Sequence, residues 1–334
     1  MKIWNVPIES LEERYSKSWN AWFPSVFDFH EIVFETIYPM PLSDKIRDGA
    51  FLDICGTNYF KASQLAILMK KIYDGEIVRG DIIFLQDLWF PGLEMLQYCR
   101  QGLPLDFKIC GILHAGTYDP FDFLSKCGMG AWGKNLENCW FNFVDKIFVA
   151  TQFHKMLIHS HREIIPSKIA ETGLPIYNEQ QPFDMMEKEN IVVFPHRLDS
   201  EKNPQMFDRL ARKAETPGWQ FIKTKDVCKT KKEYYDLLNR AKIAISFADQ
   251  ETWGIAQQEA IFAGCFPVVP NKLSYRELYS DRFKYDFFTD AVLLTKHLMS
   301  PNKEDYEEFW RNREQLLDKG RQAILNIIHE MEKL

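Results

Sequence analysis

Cysteine is scarce and unpatterned in this 334-residue chain: seven residues (Cys55, Cys99, Cys110, Cys127, Cys139, Cys228 and Cys265), with no C-x-x-C pair. An odd, scattered set argues against a disulfide frame or a zinc site and for free thiols in a reducing, cytoplasmic setting. Long hydrophobic runs are missing too. No stretch approaches the roughly 18 consecutive apolar residues of a spanning helix, and the N-terminal MKIWNVPIESLEERY lacks the apolar run of a signal peptide. Positive charge is not in excess: 41 Lys and Arg against 47 Asp and Glu leave a net charge of −6. That balance excludes a global basic field for nucleic acid or anionic membrane, while leaving room for a local basic groove. Internal repeats and low-complexity tracts are absent.

What is present suits two domains of ordinary size, each able to bury a core. Apolar residues make up 46% and charged residues 26%. Aromatics reach 14%, with 9 Trp and 26 Phe, mostly for the core but also fit for stacking on sugars or bases. Short apolar runs alternate with helical patterns, as in parallel sheets covered by helices. Strands are expected at residues 2–6, 31–36, 50–54, 81–85, 107–113, 146–150 and 169–171, with helices at 10–22, 62–73 and 93–101. The polar stretch 172–190 reads as a linker. A second alternation succeeds it: strands at 191–194, 219–223, 243–246 and 266–269, helices at 204–215, 232–240 and 254–263. Two Rossmann-like halves result. A charged helix from Asp305 closes the chain, with Trp310, Leu316, Leu317, Ile324 and Ile327 as its docking stripe.

Two stretches carry chemistry. In ETWGIAQQEAIFAGCFPVVPN, residues 251–271, Gly254 stands where a helix should begin after a strand, and a helix start offers free amides and a positive dipole end to a pyrophosphate. Glu251 precedes that helix and Glu259 lies two turns inside it, about 12 Å of rise apart, which suits opposite ends of one extended ligand. In FPHRLDSEKNP, residues 194–204, Arg197 and Lys202 leave a strand end, where open α/β sheets bind ligands. A guanidinium and an ammonium there would neutralise a diphosphate.

These stretches resemble the donor-binding signature of retaining glycosyltransferases of the GT-B fold, the large family-four type that includes relatives of sucrose and glycogen synthases. The family pattern G-R-L-x-x-x-K-G is similar to RLDSEK with Arg197 and Lys202, and E-G-F-G-x-x-x-x-E-A is similar to the segment from Glu251 to Glu259. Ala263, Gly264, Pro267, Val268 and Val269 match the family's Ala-Gly and Pro-Val-Val beyond that segment. The resemblance covers residues 190–280 most strongly. It implies an α/β GT-B fold, with two Rossmann-like domains facing across a cleft and a C-terminal helix packing back. The domains would be residues 1–175 for the acceptor, 176–304 for a nucleotide-sugar donor, and a helical tail at 305–334. Arg197 and Lys202 would bind the diphosphate, Glu259 the ribose hydroxyls, Glu251 the transferred sugar, and the amides of Gly254 and Ile255 the distal phosphate. GILHAGTYDP resembles the family's strand-then-His segment, which sets His114 toward the donor sugar, catalytic together with Glu251.

The departures are specific. Thr252, His196 and Asn203 stand where the family has Gly, Trp253 where it has Phe, and PIESLEERYSKSWNAWF replaces its Gly-rich loop. That opening and LQDLWFPGLEML are similar to phage-encoded glycosyltransferases that decorate DNA bases. Trp89 and Phe90, just past a strand end, and Asp119 are the acceptor-side candidates, although Asp119 and Asp122 beside Pro120 suit a turn equally. The Lys-rich 223–232 segment reads as a solvated loop before a phosphate contact. With no Asp-x-Asp pair to anchor a metal–diphosphate, transfer is expected to need no metal and no cofactor, the partner being a nucleotide sugar, a UDP-sugar first. The resemblance implies retention. The leading acceptor is a hydroxymethylated pyrimidine in DNA, beside a glycan, lipid or small molecule. An epimerase or hydrolase and a catalytically silent binding subunit are the rival classes, and neither sugar nor oligomeric state is legible.

Overall fold

The computed structural model describes residues 1–10, 16–40, 54–177, 183 and 185–334. The chain divides into two compact units: residues 1–149, 155–172 and 324–334 form the first, and 150–154 with 173–323 the second.

The first unit is built on short apolar strands buried on both faces, as a parallel sheet between helix layers demands. In order come β1 (Ile3–Val6), α1 (Ser16–Phe29), β2 (Phe34–Thr36), α2 (Ile54–Tyr73), β3 (Ile82–Leu85), α3 (Leu93–Gly102), β4 (Lys108–Ile112), α4 (Gly130–Phe143), β5 (Lys146–Val149), α5 (Gln152–His161) and β6 (Ile169–Glu171). The sheet runs β2-β1-β3-β4-β5-β6, all parallel, with Ile3 opposite Ile82 and Ile147 opposite Ile169. Trp19, Phe23 and Phe27 repeat every four residues along α1, so one stripe of rings faces inward, and Phe23 and Phe27 close on Phe84 of β3 at 5.2 and 6.4 Å between centroids. The strand expected at 50–54 is not seen where it is described: Ile54 opens α2, and residues 50–53 lie outside the described residues. So do residues 11–15 of the helix expected at 10–22.

The second unit repeats the plan with β7 (Glu189–Phe194), α6 (Pro204–Lys213), β8 (Gln220–Lys223), α7 (Thr224–Val227), α8 (Lys231–Arg240), β9 (Ala241–Ile245), α9 (Ile255–Phe262), β10 (Phe266–Pro270), α10 (Tyr275–Leu278), β11 (Lys284–Tyr285), α11 (Phe288–Leu298) and α12 (Lys303–Glu332), whose last residues cluster with the first unit. Its sheet is parallel in the order β11-β10-β9-β7-β8. Local chemistry sets several ends. Thr230 and Glu233 form a reciprocal capping box that starts α8. Pro204 opens α6 at a position that needs no amide donor.

One expectation fails here for a physical reason. Trp310 does not face inward: its residue is 41% exposed, and its ring stacks on Phe183 at 5.8 Å. Phe309, one helical step away, is the buried ring, 5.1 Å from Phe266; adjacent helix positions point about 100° apart, and here the inward direction falls on Phe309. The stretch 172–190, expected as a linker, is held closely where it is described. Residues 172–176 are buried, and the Lys188 ammonium donates to the carbonyls of Leu238, Asn239 and Ala263 at the ends of α8 and α9. A cation there satisfies carbonyls that a helix leaves open. Among the described residues no helix is long and apolar enough to cross a membrane.

Candidate functional site

In the second unit the chain runs from β7 outward to β8, then returns to β9, β10 and β11 on the other side. The switch point therefore lies between β7 and β9, where the loops from neighbouring strands diverge and leave a crevice at their carboxyl ends. Both chemistry-bearing stretches leave the sheet there. After β7 the chain passes His196 and Arg197, makes a 3-10 turn over Ser200–Lys202, and enters α6 through Asn203 at φ 55°. After β9 it forms the turn 251–254. Gly254 sits at φ 76° and ψ 45°, left-handed backbone that strains any side chain. A Cβ at Gly254 would also stand 3.0 Å from the Tyr275 ring.

Three of the expected donor residues form one hydrogen-bonded unit. The Glu251 carboxylate accepts the Gly254 amide at 3.0 Å and the Lys202 ammonium at 3.1 Å. Lys202 is buried and also donates to the Gln250 carbonyl. The other two charges lie in separate clusters. Arg197 pairs with Asp199 at 2.7 Å and Glu201 at 3.4 Å. Glu259 receives Lys231 at 2.7 Å and the phenols of Tyr235 and Tyr234 at 2.8 and 3.0 Å. Burial, then the Glu259 charge, holds the Tyr234 phenol well above its ordinary range, so it stays a proton donor. Ile255 is the first residue of α9, an eight-residue helix whose first-turn amides have no intrahelical partner. An ammonium, an adjacent helix start and a carboxylate that accepts hydroxyls can together hold a phosphorylated, hydroxyl-bearing ligand.

His196 is a group that spacing alone did not single out for a role. It is 3% exposed, packs edge-on to Phe194 at 5.2 Å, and its Nε2 has no partner among the described residues. Burial, then the Lys202 and Arg197 charges, pushes its pKa well below the ordinary value, which keeps the ring neutral beside two cations.

In the first unit His114 follows β4. Its Nε2 bonds the Gln86 carbonyl at 2.7 Å and its ring lies 5.3 Å from Trp19. Burial lowers its pKa, against the opposing pull of Asp87. Trp89 is half-buried; its indole N–H donates to Glu137 at 3.0 Å and its ring meets Trp140 edge-on at 5.4 Å. Phe90 corrects an expectation: it is 1% exposed, inside the core cluster, where it has no surface to offer an acceptor. Asp119 takes the turn role, accepting the Phe121 amide at 2.9 Å. Behind Trp89 lies a buried ion pair no motif signals. Glu137, with no exposed surface, meets Arg162 at 2.6 Å and accepts the Thr117 amide and, at 2.8 Å, its hydroxyl.

Asp122 is 4% exposed. Burial, followed by neighbouring Asp119, pushes its carboxyl from 3.8 up to about 6. A folded pKa above the unfolded one favours the protonated form, so its contribution is full below 3.8 and is lost as pH rises through about 6. Asp122→Asn keeps the acceptor for the Leu124 amide and cannot ionise. It will stabilise the protein by on the order of 1–3 kcal/mol near pH 8 and by little near pH 4. Unfolding midpoints at the two pH values check this, and equal gains at both would contradict it.

No protein-family model matches the chain. A Drosophila melanogaster protein, tRNA-queuosine alpha-mannosyltransferase, is 31% identical over 173 residues, covering 41% of this chain and 45% of that one. The chain thus spans just under half the length of this curated relative. Among solved structures, sucrose-phosphate synthase from Thermosynechococcus elongatus superposes with a TM-score of 0.70 at 10% identity, over 100% of this chain and 98% of that one. A mutant of S. aureus TarM, in complex with fondaparinux, alpha-GlcNAc-glycerol and UDP, gives 0.56 at 15% identity over 80% and 58%. With two parallel-sheet α/β units and the sucrose-phosphate synthase fold matching over its whole length, the chain has the GT-B fold.

Proposed function

We propose that this chain is a glycosyltransferase that takes a sugar from a nucleoside-diphosphate donor and moves it to a hydroxyl of a modified nucleoside in nucleic acid. The observation that carries the reading is the Lys202–Glu251–Gly254 unit at the switch point of the second sheet. Lys202, Arg197 and the first-turn amides of Ile255 and its neighbours would neutralise the leaving diphosphate, work a divalent metal otherwise does. Glu251 would hold hydroxyls of the transferred sugar and Glu259 those of the ribose. A carboxylate offers about four lone-pair sites, so both acids can take a ligand hydroxyl while keeping present partners. UDP in the TarM complex supports a uridine donor. His114 is assigned to the donor sugar, with Glu251, and Trp89 to the acceptor side; retention of configuration belongs to the same reading. The free cysteines suit a cytoplasmic setting.

The curated relative's tRNA-queuosine substrate favours a tRNA nucleoside as acceptor. A hydroxymethylated pyrimidine in DNA is the second reading within the same chemical class. The test incubates the protein with UDP- and GDP-sugars and four acceptors: tRNA with and without queuosine, and DNA with and without hydroxymethylcytosine. Mass gain by one hexose on the queuosine tRNA alone is the expected result. Gain on the modified DNA alone would replace the acceptor, and neither transfer nor donor hydrolysis with any nucleotide sugar would overturn the assignment.

A further inference from the structure

A cavity of 370 Å³ opens at the carboxyl ends of β9, β10 and β11, a size within the range of small-ligand pockets. Asn203 borders it from the β7 side and Asp249 from the β9 side, so it straddles the same switch point as the donor stretches. Arg197, Lys202, Glu251, Gly254, Ile255 and Glu259 are not among its lining residues. The proposed transfer reaction leaves it unused.

Its walls have two characters. Phe247 forms an apolar side together with Tyr285 and Phe288, at 5.8 and 6.2 Å between ring centroids. The rim is a set of carboxylates already paired with donors. Asp249 accepts the Asn203 amide at 2.6 Å and the Lys272 ammonium, while Asp286 accepts the Asn271 amide at 3.0 Å. Two carboxylates against one ammonium disfavour an anion, and the polar rim disfavours a wholly apolar guest. A ring with hydroxyls around its edge and C–H groups on its face matches both walls. Each hydroxyl can donate to a carboxylate lone pair while accepting from the amide or ammonium beside it.

We propose that this cavity is a second carbohydrate site, taking a monosaccharide-sized ring with no nucleotide attached. It does not depend on the transferase reading, since neither donor nor turnover is needed to occupy it. Saturation-transfer NMR on the full chain, with methyl α-mannopyranoside and methyl α-glucopyranoside as probes and uridine as the comparison, tests it directly. One glycoside should saturate at or below about 10 mM, the weak end of specific affinity. Asp286→Ala, at an exposed position, and Phe288→Ser should each weaken that binding at least roughly tenfold. The affinity for UDP should stay as in the unaltered chain for both, and for Asp286→Ala the unfolding midpoint as well; Phe288→Ser also gives up its contacts with Phe247 and Arg209. Failure of both glycosides to bind at that concentration overturns the proposal. So does binding by both variants as tight as that of the unaltered chain, or binding of uridine in place of either sugar.

Discussion

Lys202→Ala will lower nucleotide-sugar turnover by roughly a hundred- to a thousandfold, the scale of removing one preorganised electrostatic group, about 2.7–4 kcal/mol. The reason is positional. Lys202 is buried, held by Gln250 and Glu251 at the carboxyl end of the sheet, so its charge is fixed before a diphosphate arrives and loses little entropy on binding. The same geometry makes a less obvious demand on Glu251. In the free protein its carboxylate half-neutralises Lys202 at 3.1 Å. Glu251→Gln therefore frees the ammonium: UDP should bind several-fold more tightly while sugar transfer falls, because the amide accepts hydroxyls less strongly than the ion. Calorimetric titration with UDP and a turnover assay read the two effects separately. Unchanged UDP affinity and turnover in Lys202→Ala would remove Lys202 from the donor site.

Arg162→Ala should cost about 3–5 kcal/mol of stability, the scale seen when one partner of a buried ion pair is removed. Glu137 has no exposed surface, and Arg162 supplies both its 2.6 Å ion pair and a second contact to the Thr117 hydroxyl at 2.7 Å. Without the guanidinium the carboxylate stays among Trp89 and Thr117 with its charge uncompensated. A domain of ordinary stability has only about 5–15 kcal/mol to lose, so the unfolding midpoint will drop sharply. Removing both charges, Glu137→Gln with Arg162→Met, should cost clearly less than Arg162→Ala, since no orphaned ion remains. Denaturant titration of the three proteins decides it: a double variant as unstable as Arg162→Ala would mean that packing, not charge, sets the cost.

The sequence by itself determined the alternation of strands and helices, because short apolar runs and periodic stripes are local properties. Every strand expected between 191 and 269 lies within two residues of one observed, and the Gly254 turn stands where a strand end meets a helix start. Local pattern also singled out Lys202, Glu251 and Gly254, which the structure joins in one hydrogen-bonded unit, though it did not show that Glu251 would hold Lys202 directly. What only the tertiary structure decided concerns partners distant in the chain and choices between adjacent positions. Trp310 turned outward, since periodicity fixes a helix face only to within about one residue, and Phe90 went into the core, since a place just past a strand end does not say which way the loop turns its side chain. Glu137 with Arg162, and Lys188 on the carbonyls of two helices, are satisfied by groups 25 to 75 positions away. A charged residue in a polar stretch looks solvated until folding removes its water and supplies its partners. That exchange depends on the whole packed chain, and no local pattern records it.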